Sequence, residues 1–404
     1  MSSTSELSGF AARLRESILA SEWGARTSSG SAARAYGAGF EALALELFAL
    51  QFGHNMAYRR LCEARGARPD TIAHWTDIPA APTSAFKEFD HSCLPVEDRT
   101  AVFHSSGTTG QKPSRHYHNA ESLALYEASL LQWFEAHFRL RAPVGNAGEA
   151  KPGRGDEMAN GKWQMAILTP PPSQAPHSSL VHMFETIRRE LGLDKSSFVG
   201  RAGRDGAWAL ELEAATDVLR KASRTGGRVL MLGTAFSFVH LLDHLAKQDL
   251  RFELPPGSCA LETGGYKGRS RSMPKAALHS LITERLGVPR GQVICEYGMS
   301  ELSSQAYDAQ LAPLLLAHRA PHFTLHAPRS FHFPPWARVQ IVSPETGREV
   351  GEGETGLIRV VDLANVYSVM AIQTEDLGVR RGEGFALAGR AVLAEPRGCS
   401  LMAV

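Results

Sequence analysis

The sequence lacks any long apolar run and any excess of charge. No stretch of its 404 residues is apolar for long enough to cross a bilayer, and the N-terminus lacks the apolar segment of a secretion signal. Its 43 basic residues are balanced by 42 acidic ones, without a block of like charges. Because nucleic-acid binding needs a concentrated basic face, this balance argues against a nucleic-acid partner. The lack of a long apolar run predicts a protein without an integral membrane segment.

The cysteines lack the spacing of a disulfide framework or a zinc site. There are five, an odd number, and none forms a CxxC pair. They are Cys62, Cys93, Cys259, Cys295 and Cys399. Scattered, unpaired cysteines are typical of reduced thiols and so predict a cytoplasmic protein. The first four lie in apolar helical or strand patterns and are expected in the core.

What is present is a chain whose pattern changes twice. Residues 6–66 and 122–138 have helical spacing, whereas residues 144–162 are rich in glycine and charge and predict a mobile surface loop. From residue 163 short apolar strands alternate with helices, which predicts a mainly parallel sheet covered by helices. From about 335 onward, strands joined by glycine-rich turns predict a small β subdomain.

These changes predict an α/β protein with the following organisation. A flexible or helical segment spans 1–35. A large domain spans 36–390 and includes the loop 144–162 and the β subdomain at about 335–390. A tail spans 391–404 and carries Cys399.

The stretch "FHSSGTTGQKPSRHYH" contains a candidate phosphate-binding loop. The loop consists of Ser105, Ser106, Gly107, Thr108, Thr109 and Gly110. Glycines let backbone N–H groups converge on an anion, and hydroxyls add donors with little bulk. Lys112 follows and can neutralise phosphate charge, although the spacing is not that of a Walker A loop. A loop of this composition also suits a simple turn.

Three further motifs accompany this loop, and each has a plainer structural interpretation. "ETGGYKGRS" and "EYGMSELSSQAYD" each follow a predicted strand, and "QTEDLG" precedes "GR". Gly264, Gly265 and Tyr266 can hold a planar base, and Glu301 can hold Mg²⁺. Alternatively, Glu301 caps a helix and Asp376 lies in a turn. Their occurrence together and in this order favours a nucleotide site.

The motifs "SSGTTG", "YGMSE" and "TEDLG…GR" resemble the signature loops of the adenylate-forming superfamily of acyl-CoA synthetases. "FKEF", "PPSQAPHSSLVHMF", "LGTAFSFVHLLD", "ETGGYKGRS" and "AEPRGCS" further resemble the acyl-protein synthetases, the fatty-acid–protein ligases of bacterial fatty-acid reductase complexes. The resemblance covers roughly residues 35–400. It implies the large-domain fold of the superfamily, without the usual C-terminal lobe.

The resemblance also implies a role for each motif residue, with ATP and Mg²⁺ as cofactors. Loop 105–110 and Lys112 would hold the β- and γ-phosphates. Adenine would contact Gly264, Gly265, Tyr266, Tyr297 and Gly298. Ser300 and Glu301 would serve the α-phosphate and the metal, Asp376 the ribose and Arg390 the nucleotide edge. Three departures are the order Lys112-Pro113, Ser300 in place of threonine, and the missing lobe with its lysine, for which Lys87 and Lys267 are candidates.

The resemblance implies that Cys399 accepts the acyl group as a thioester, whereas a lone cysteine near a terminus is ordinarily an idle thiol. The predicted function is therefore ATP-dependent activation of a carboxylic acid, which the resemblance implies is a long-chain fatty acid, followed by transfer to a protein cysteine. An acyl reductase or acyl-carrier protein would be the partner. Two alternatives remain open: a phenylacetate-type acyl- or aryl-CoA ligase, and a non-catalytic nucleotide-binding subunit.

Overall fold

The computed structural model describes residues 4–20, 30–105, 112–138, 163–192, 196–204, 207–264, 273–308 and 329–391. The loop expected at 144–162 lies outside these residues, as does the tail beyond Ala391.

The described residues form nine α-helices and fifteen β-strands. The helices are α1 Thr4–Leu19, α2 Gly30–His54, α3 Met56–Ala64, α4 Ala85–Glu88, α5 Ala120–His137, α6 Ser179–Glu190, α7 Leu212–Thr225, α8 Ala235–Lys247 and α9 Lys275–Leu286. The strands are β1 Ala81–Pro82, β2 Ala101–His104, β3 Arg115–His118, β4 Gln164–Ile167, β5 Ser197–Phe198, β6 Gly200–Ala202, β7 Trp208–Leu210, β8 Val229–Thr234, β9 Cys259–Thr263, β10 Val293–Tyr297, β11 Ala306–Tyr307, β12 Ala337–Val342, β13 Thr355–Asp362, β14 Ala371–Arg381 and β15 Gly384–Arg390.

The chain divides into two compact units. Among the described residues, unit one contains those up to Ser105 together with 112–134 and 298–391. Unit two contains the described residues between 135 and 297.

Unit two is built on parallel strands. β10, β9, β8, β4 and β5 are hydrogen-bonded in that order, and every neighbouring pair is parallel. All six residues of β8 are buried, as expected for a strand covered on both faces. The α/β fold predicted from the alternating pattern is therefore confirmed.

The helices of unit two begin and end at residues suited to those positions. Thr234 caps α8 because its hydroxyl accepts a hydrogen bond from the backbone N–H of Ser237 (3.1 Å). α9 ends at Gly287, whose φ of 70° is left-handed and is easily adopted only without a side chain. Leu219 of α7, Leu245 of α8 and Leu278 of α9 then pack into one fully buried apolar core with the strands.

Unit one contains an antiparallel sheet in which β12, β13, β14 and β15 are neighbours in that order. The short strand β1 adds to β14 in parallel. Three of these strands were expected from the sequence, but β14 was not. Its central residues, "QTED", are polar and look like part of a loop. In the structure β14 pairs with a strand on each side, and Ala371–Arg381 is the longest strand described.

The first helices of unit one are tied to its C-terminal part. Gln51 on α2 donates side-chain hydrogen bonds to the carbonyl oxygens of Asn365 (2.8 Å) and Val366 (3.0 Å) and accepts one from the Met370 N–H (2.9 Å). Asn55 caps α3 and also donates to the Ser368 carbonyl oxygen (3.2 Å). These buried polar contacts fix the segment that precedes β14.

Candidate functional site

The candidate phosphate loop joins two antiparallel strands. β2 and β3 pair with His104 opposite Arg115, so the loop closes a hairpin. It is therefore not one of the strand-to-helix loops that bind ligands in open α/β sheets. Ser105 fastens the hairpin, because its hydroxyl accepts a hydrogen bond from the Ser114 N–H (2.9 Å) and its own N–H donates to the Ser114 carbonyl oxygen (3.2 Å). The rest of the loop lies outside the described residues: Ser106, Gly107, Thr108, Thr109 and Gly110.

Lys112 lies immediately after this loop on the surface. Its Nζ is 3.7 Å from Glu88 Oε2, and both side chains are at least half exposed. A pair of this kind contributes little to stability, so it restrains the lysine only weakly. Nearby, Arg115 holds Asp90 (2.8 Å), which Arg99 also contacts (2.9 Å).

Glu301 is a buried carboxylate held by two hydroxyl groups. The residue is 1% exposed. Ser114 Oγ donates to its Oε1 (2.8 Å) and Ser300 Oγ donates to its Oε2 (3.0 Å). Ser114 was not predicted as a site residue, and the 187 positions that separate it from Glu301 explain why. The hydroxyls fix the direction of the carboxylate.

The backbone on either side of the Glu301 carboxylate is also held. His116 Nδ1 lies 2.6 Å from the Ser300 carbonyl oxygen, and Asn365 Nδ2 donates to the Glu301 carbonyl oxygen (2.9 Å). Burial lowers the pKa of His116, so its ring is neutral near pH 7. A neutral ring that donates from Nδ1 positions the loop without adding charge beside Glu301.

A second buried carboxylate supports the same loop. Asp362, at the end of β13, accepts hydrogen bonds from the Ser303 N–H (2.9 Å) and the Ser304 hydroxyl (2.7 Å). Burial raises the pKa of Asp362 to about 6, and these hydrogen bonds act in the opposite direction. Ser303 Oγ also donates to Asn365 Oδ1 (3.0 Å), which links the two supports.

The donor set around Glu301 suits a hard cation that also binds a substrate phosphate. Mg²⁺ commonly takes one or two carboxylates and completes its shell with water and phosphate oxygens. Glu301 offers one oriented carboxylate with hydroxyl oxygens beside it. The described residues contain no cluster of three or more side chains able to hold a metal by themselves. The residues thus fit a metal that arrives with its nucleotide.

Asp376 and Arg390 lie opposite each other on β14 and β15. Arg390 Nε is 3.2 Å from Asp376 Oδ1, and Arg390 Nη2 donates to Glu375 Oε2 (2.8 Å). One guanidinium therefore holds two neighbouring carboxylates, all three side chains being about one-quarter exposed. Glu375 was not singled out from the sequence. The aspartate and the arginine of the motif "TEDLG…GR", Asp376 and Arg390, are therefore in contact.

The glycine–aromatic motifs begin at one edge of the parallel sheet of unit two. Thr263 ends β9 and pairs with Glu296 on β10, so Gly264, which follows β9, and Tyr297, which ends β10, lie at the carboxyl ends of adjacent strands. Ligands of open α/β sheets bind at such an edge. Gly264 has a left-handed φ of 75°, and Tyr297 is buried. Gly265, Tyr266 and Lys267 lie outside the described residues.

Beneath this edge lies a charged cluster that the sequence did not predict. It consists of Glu262, Lys275, His279 and Cys295. Glu262 is fully buried and contacts Lys275 Nζ (2.9 Å) and His279 Nε2 (3.2 Å) through Oε1, and Lys275 also contacts Cys295 Sγ. Burial alone would raise the pKa of Glu262, but the Lys275 charge and the hydrogen bonds from His279 and Cys295 lower it to about 2.

Glu296 differs from Glu262 although it lies on the neighbouring strand. Burial raises the pKa of Glu296 to about 7, against the opposing effects of the Thr263 hydrogen bond and the Lys275 charge. At pH 7 Glu262 is therefore ionised, whereas the pKa of Glu296 lies close to that pH.

The prediction that the first four cysteines lie in the core is confirmed for three of them. Cys62, Cys93 and Cys295 are buried, whereas Cys259 is only partly buried. Burial raises the pKa of Cys62 to about 11 and that of Cys259 to about 12, so these thiols are poor nucleophiles. Cys399 lies outside the described residues.

In the described part of the chain, no helix is both long enough and apolar enough to span a membrane.

Comparisons with known proteins give one relative and a set of solved structures. No family model matches the sequence. The long-chain-fatty-acid–luciferin-component ligase of Aliivibrio fischeri is 22% identical over 342 residues, which cover 83% of this chain and 78% of the relative.

The solved structures include 2-hydroxyisobutyryl-CoA ligase in an open conformation with 2-HIB-AMP and CoA. It is 13% identical, with a TM-score of 0.60, and the match covers 88% of this chain and 69% of the ligase. The thioesterification state of the same ligase is 14% identical, with a TM-score of 0.60 and coverage of 90% and 69%. This protein has the fold of the adenylate-forming ligases, and its sequence is similar to a fatty-acid ligase of the group that its motifs resemble.

Proposed function

We propose that this protein activates a carboxylic acid with ATP as an acyl-adenylate and then transfers the acyl group to a protein cysteine. The observation that carries the proposal is the fixed carboxylate of Glu301, buried between the hydroxyls of Ser114 and Ser300 in a chain of adenylate-forming fold. The name of the Aliivibrio fischeri relative supports a long-chain fatty acid as the substrate.

In this proposal the motif residues surround the nucleotide. Loop 105–110 and Lys112 bind the β- and γ-phosphates. Gly264, Gly265, Tyr266, Tyr297 and Gly298 line the adenine site. Asp376 accepts hydrogen bonds from the ribose hydroxyls, and Arg390 holds Asp376 in position. The ion pair between Arg390 and Asp376 supports this division of roles because it holds the two groups next to each other.

Mg²⁺ would be held by Glu301 with the hydroxyl of Ser300 beside it, and it would neutralise phosphate charge. The chain's own contribution is to keep that carboxylate oriented through Ser114 and to keep its loop in place through His116 and Asn365. Because such positioning precedes the reaction, no reorganisation is needed as charge develops.

Two bond exchanges follow. A carboxylate oxygen of the acid bonds to the α-phosphorus while the bond to the pyrophosphate oxygen breaks, and catalysis there is mainly positioning and charge neutralisation. In the second exchange the sulfur of Cys399 bonds to the acyl carbon, the bond to AMP breaks, and the thiol proton passes to solvent. The thioester then serves an acyl reductase or carrier protein. Lys87, on α4, and Lys267 are candidates to contact the adenylate.

The first exchange is tested by ATP–pyrophosphate exchange with a panel of carboxylic acids. We expect exchange with wild type and a loss of about 100-fold or more in Glu301→Gln. Glu345→Gln, which removes an exposed carboxylate from a turn, is the matched control and should retain full activity. If no acid supports exchange, the protein is a non-catalytic nucleotide-binding subunit and the proposal is wrong.

The second exchange is tested by intact-protein mass after incubation with ATP, Mg²⁺ and the activated acid. A hydroxylamine-labile gain of one acyl group in wild type, absent in Cys399→Ser, is the expected result. AMP release that depends on coenzyme A, without acylation of the protein, would instead assign a phenylacetate-type CoA ligase. The proposal places both steps in the cytoplasm, where free thiols persist.

A further inference from the structure

A cleft in unit one contains two arginines and none of the candidate site residues. Its volume is about 450 Å³, within the range of small-molecule sites. It lies between the residues that follow α3 and the sheet, and Arg65, Thr76, Asp77 and Arg359 line it. The inference from it does not depend on the proposed function.

Both guanidinium groups of this cleft retain free hydrogen-bonding capacity. Arg65 Nη1 donates to the Ala80 carbonyl oxygen (2.9 Å), and Arg359 Nε donates to Gln373 Oε1 (3.0 Å). In the described part of the chain neither arginine forms an ion pair with a carboxylate. Since a guanidinium has five N–H donors, most of them remain available to a ligand.

Arg359 is the more informative of the two. Arg65 follows the last turn of α3, where the helix dipole favours a cation. Arg359 has no such support: it lies on β13, opposite Gln373, and is partly buried. Burial and the nearby Arg65 charge lower its pKa. Both arginines line the same cleft, and two like charges placed there favour an anion bound between them.

The remaining polar groups of the cleft suit hydroxyls better than a second anion. Asp77 is an acceptor and would repel a further phosphate, whereas it can receive hydrogen bonds from the hydroxyls of a sugar or polyol. Thr76 lies beside it and can donate or accept. A ligand with one phosphate end and one hydroxyl-rich end matches both sides of the cleft.

We propose that this cleft binds a small sugar or polyol phosphate, with Arg65 and Arg359 on the phosphate and Asp77 on the hydroxyls. Bidentate guanidinium contacts to phosphate are strong and directional, and two such groups would give the phosphate end its selectivity. The site is separate from the nucleotide site in its residues.

Calorimetric titration of the full chain with ribose 5-phosphate, inorganic phosphate and ribose tests the proposal. We expect ribose 5-phosphate to bind most tightly and ribose not to bind. Arg359→Gln should weaken ribose 5-phosphate binding about tenfold or more, since it removes charge-assisted hydrogen bonds. Asp77→Asn should weaken ribose 5-phosphate but not inorganic phosphate. Arg60→Gln, an exposed arginine on α3 outside the cleft, is the control and should change nothing.

Thermal unfolding separates binding from a structural role. Removing a partly buried like charge should leave the Tm of Arg359→Gln unchanged or higher. Equal weakening by Arg359→Gln and Arg60→Gln would overturn the proposal, as would unaltered binding in Arg359→Gln. Binding of ribose 5-phosphate no tighter than that of inorganic phosphate would overturn the assignment of a hydroxyl-bearing ligand.

Discussion

Replacing Glu262 with glutamine tests the charged cluster beneath the sheet edge. Glu262 is fully buried and holds Lys275 (2.9 Å) and His279 (3.2 Å) through one oxygen. The Glu262→Gln variant keeps the shape of the side chain but removes the charge. Lys275, whose side chain is about one-third exposed, then loses its carboxylate partner, and the fully buried position of Glu262 makes this loss destabilising.

The pKa of Glu262 gives the size of the effect. The difference between its ordinary value of 4.5 and the value of about 2 in the folded protein corresponds to about 3 kcal/mol, at about 1.4 kcal/mol per pH unit. Loss of one partner of a buried ion pair typically costs about 3–5 kcal/mol, and the partial exposure of Lys275 places this case at the low end of that range. We therefore expect Glu262→Gln to lower the free energy of unfolding by about 3 kcal/mol at pH 7.

The same pKa predicts how the loss changes with pH. Because the folded protein lowers the pKa of Glu262, its contribution is complete above pH 4.5 and is lost as the pH falls towards 2. The difference between wild type and Glu262→Gln should therefore shrink as the pH falls below 4.5.

Urea denaturation of both proteins between pH 7 and pH 3 measures this difference. Glu284→Gln is the control, on the helix α9 that carries Lys275 and His279, because Glu284 pairs with Arg251 (3.0 Å) where both side chains are about half exposed. Such a surface pair contributes about 0–1 kcal/mol. A loss in Glu262→Gln as small as that in Glu284→Gln, or a loss independent of pH down to pH 3, would refute this account of the cluster.

Two further changes have definite expected outcomes. Ser114→Ala removes a hydrogen bond to Glu301 and should raise the Mg²⁺ concentration required for ATP–pyrophosphate exchange by about 10- to 100-fold; an unchanged requirement would contradict the positioning role. Gly356→Ala would place a Cβ 2.5 Å from the Val342 carbonyl oxygen and should destabilise by about 1–3 kcal/mol, whereas Gly291→Ala meets nothing within 4 Å and should not; urea denaturation distinguishes them.

The parallel strands could be predicted because burial on both faces leaves a clear signal. "VLMLGT" is apolar or small throughout, and these six residues form the strand Val229–Thr234. β14 gave no such signal. Gln373, Thr374, Glu375 and Asp376 are polar, and what makes them a strand is pairing with β13 and β15. A strand fixed by its neighbours cannot be identified from its own composition.

The candidate site, too, could be predicted from the sequence only in part. The motif around Glu301 was visible because its residues are consecutive, whereas the groups that hold it come from distant parts of the chain. Ser114 is 187 positions away and Asn365 is 64. Serine and asparagine are common, and only the fold identifies which of them contact the carboxylate or its backbone.

The contacts of Gln51 have a consequence for synthesis on the ribosome. Its partner Asn365 lies 314 residues later, so at about 5–20 residues per second roughly 15–60 s separate the two. During that interval α2 has formed but lacks the segment that satisfies its buried amide. The residues of unit two, which are nearly continuous in sequence, emerge complete in the meantime. Unit one therefore finishes folding last, and we expect the apolar faces of its first helices to stay uncovered in the nascent chain until then.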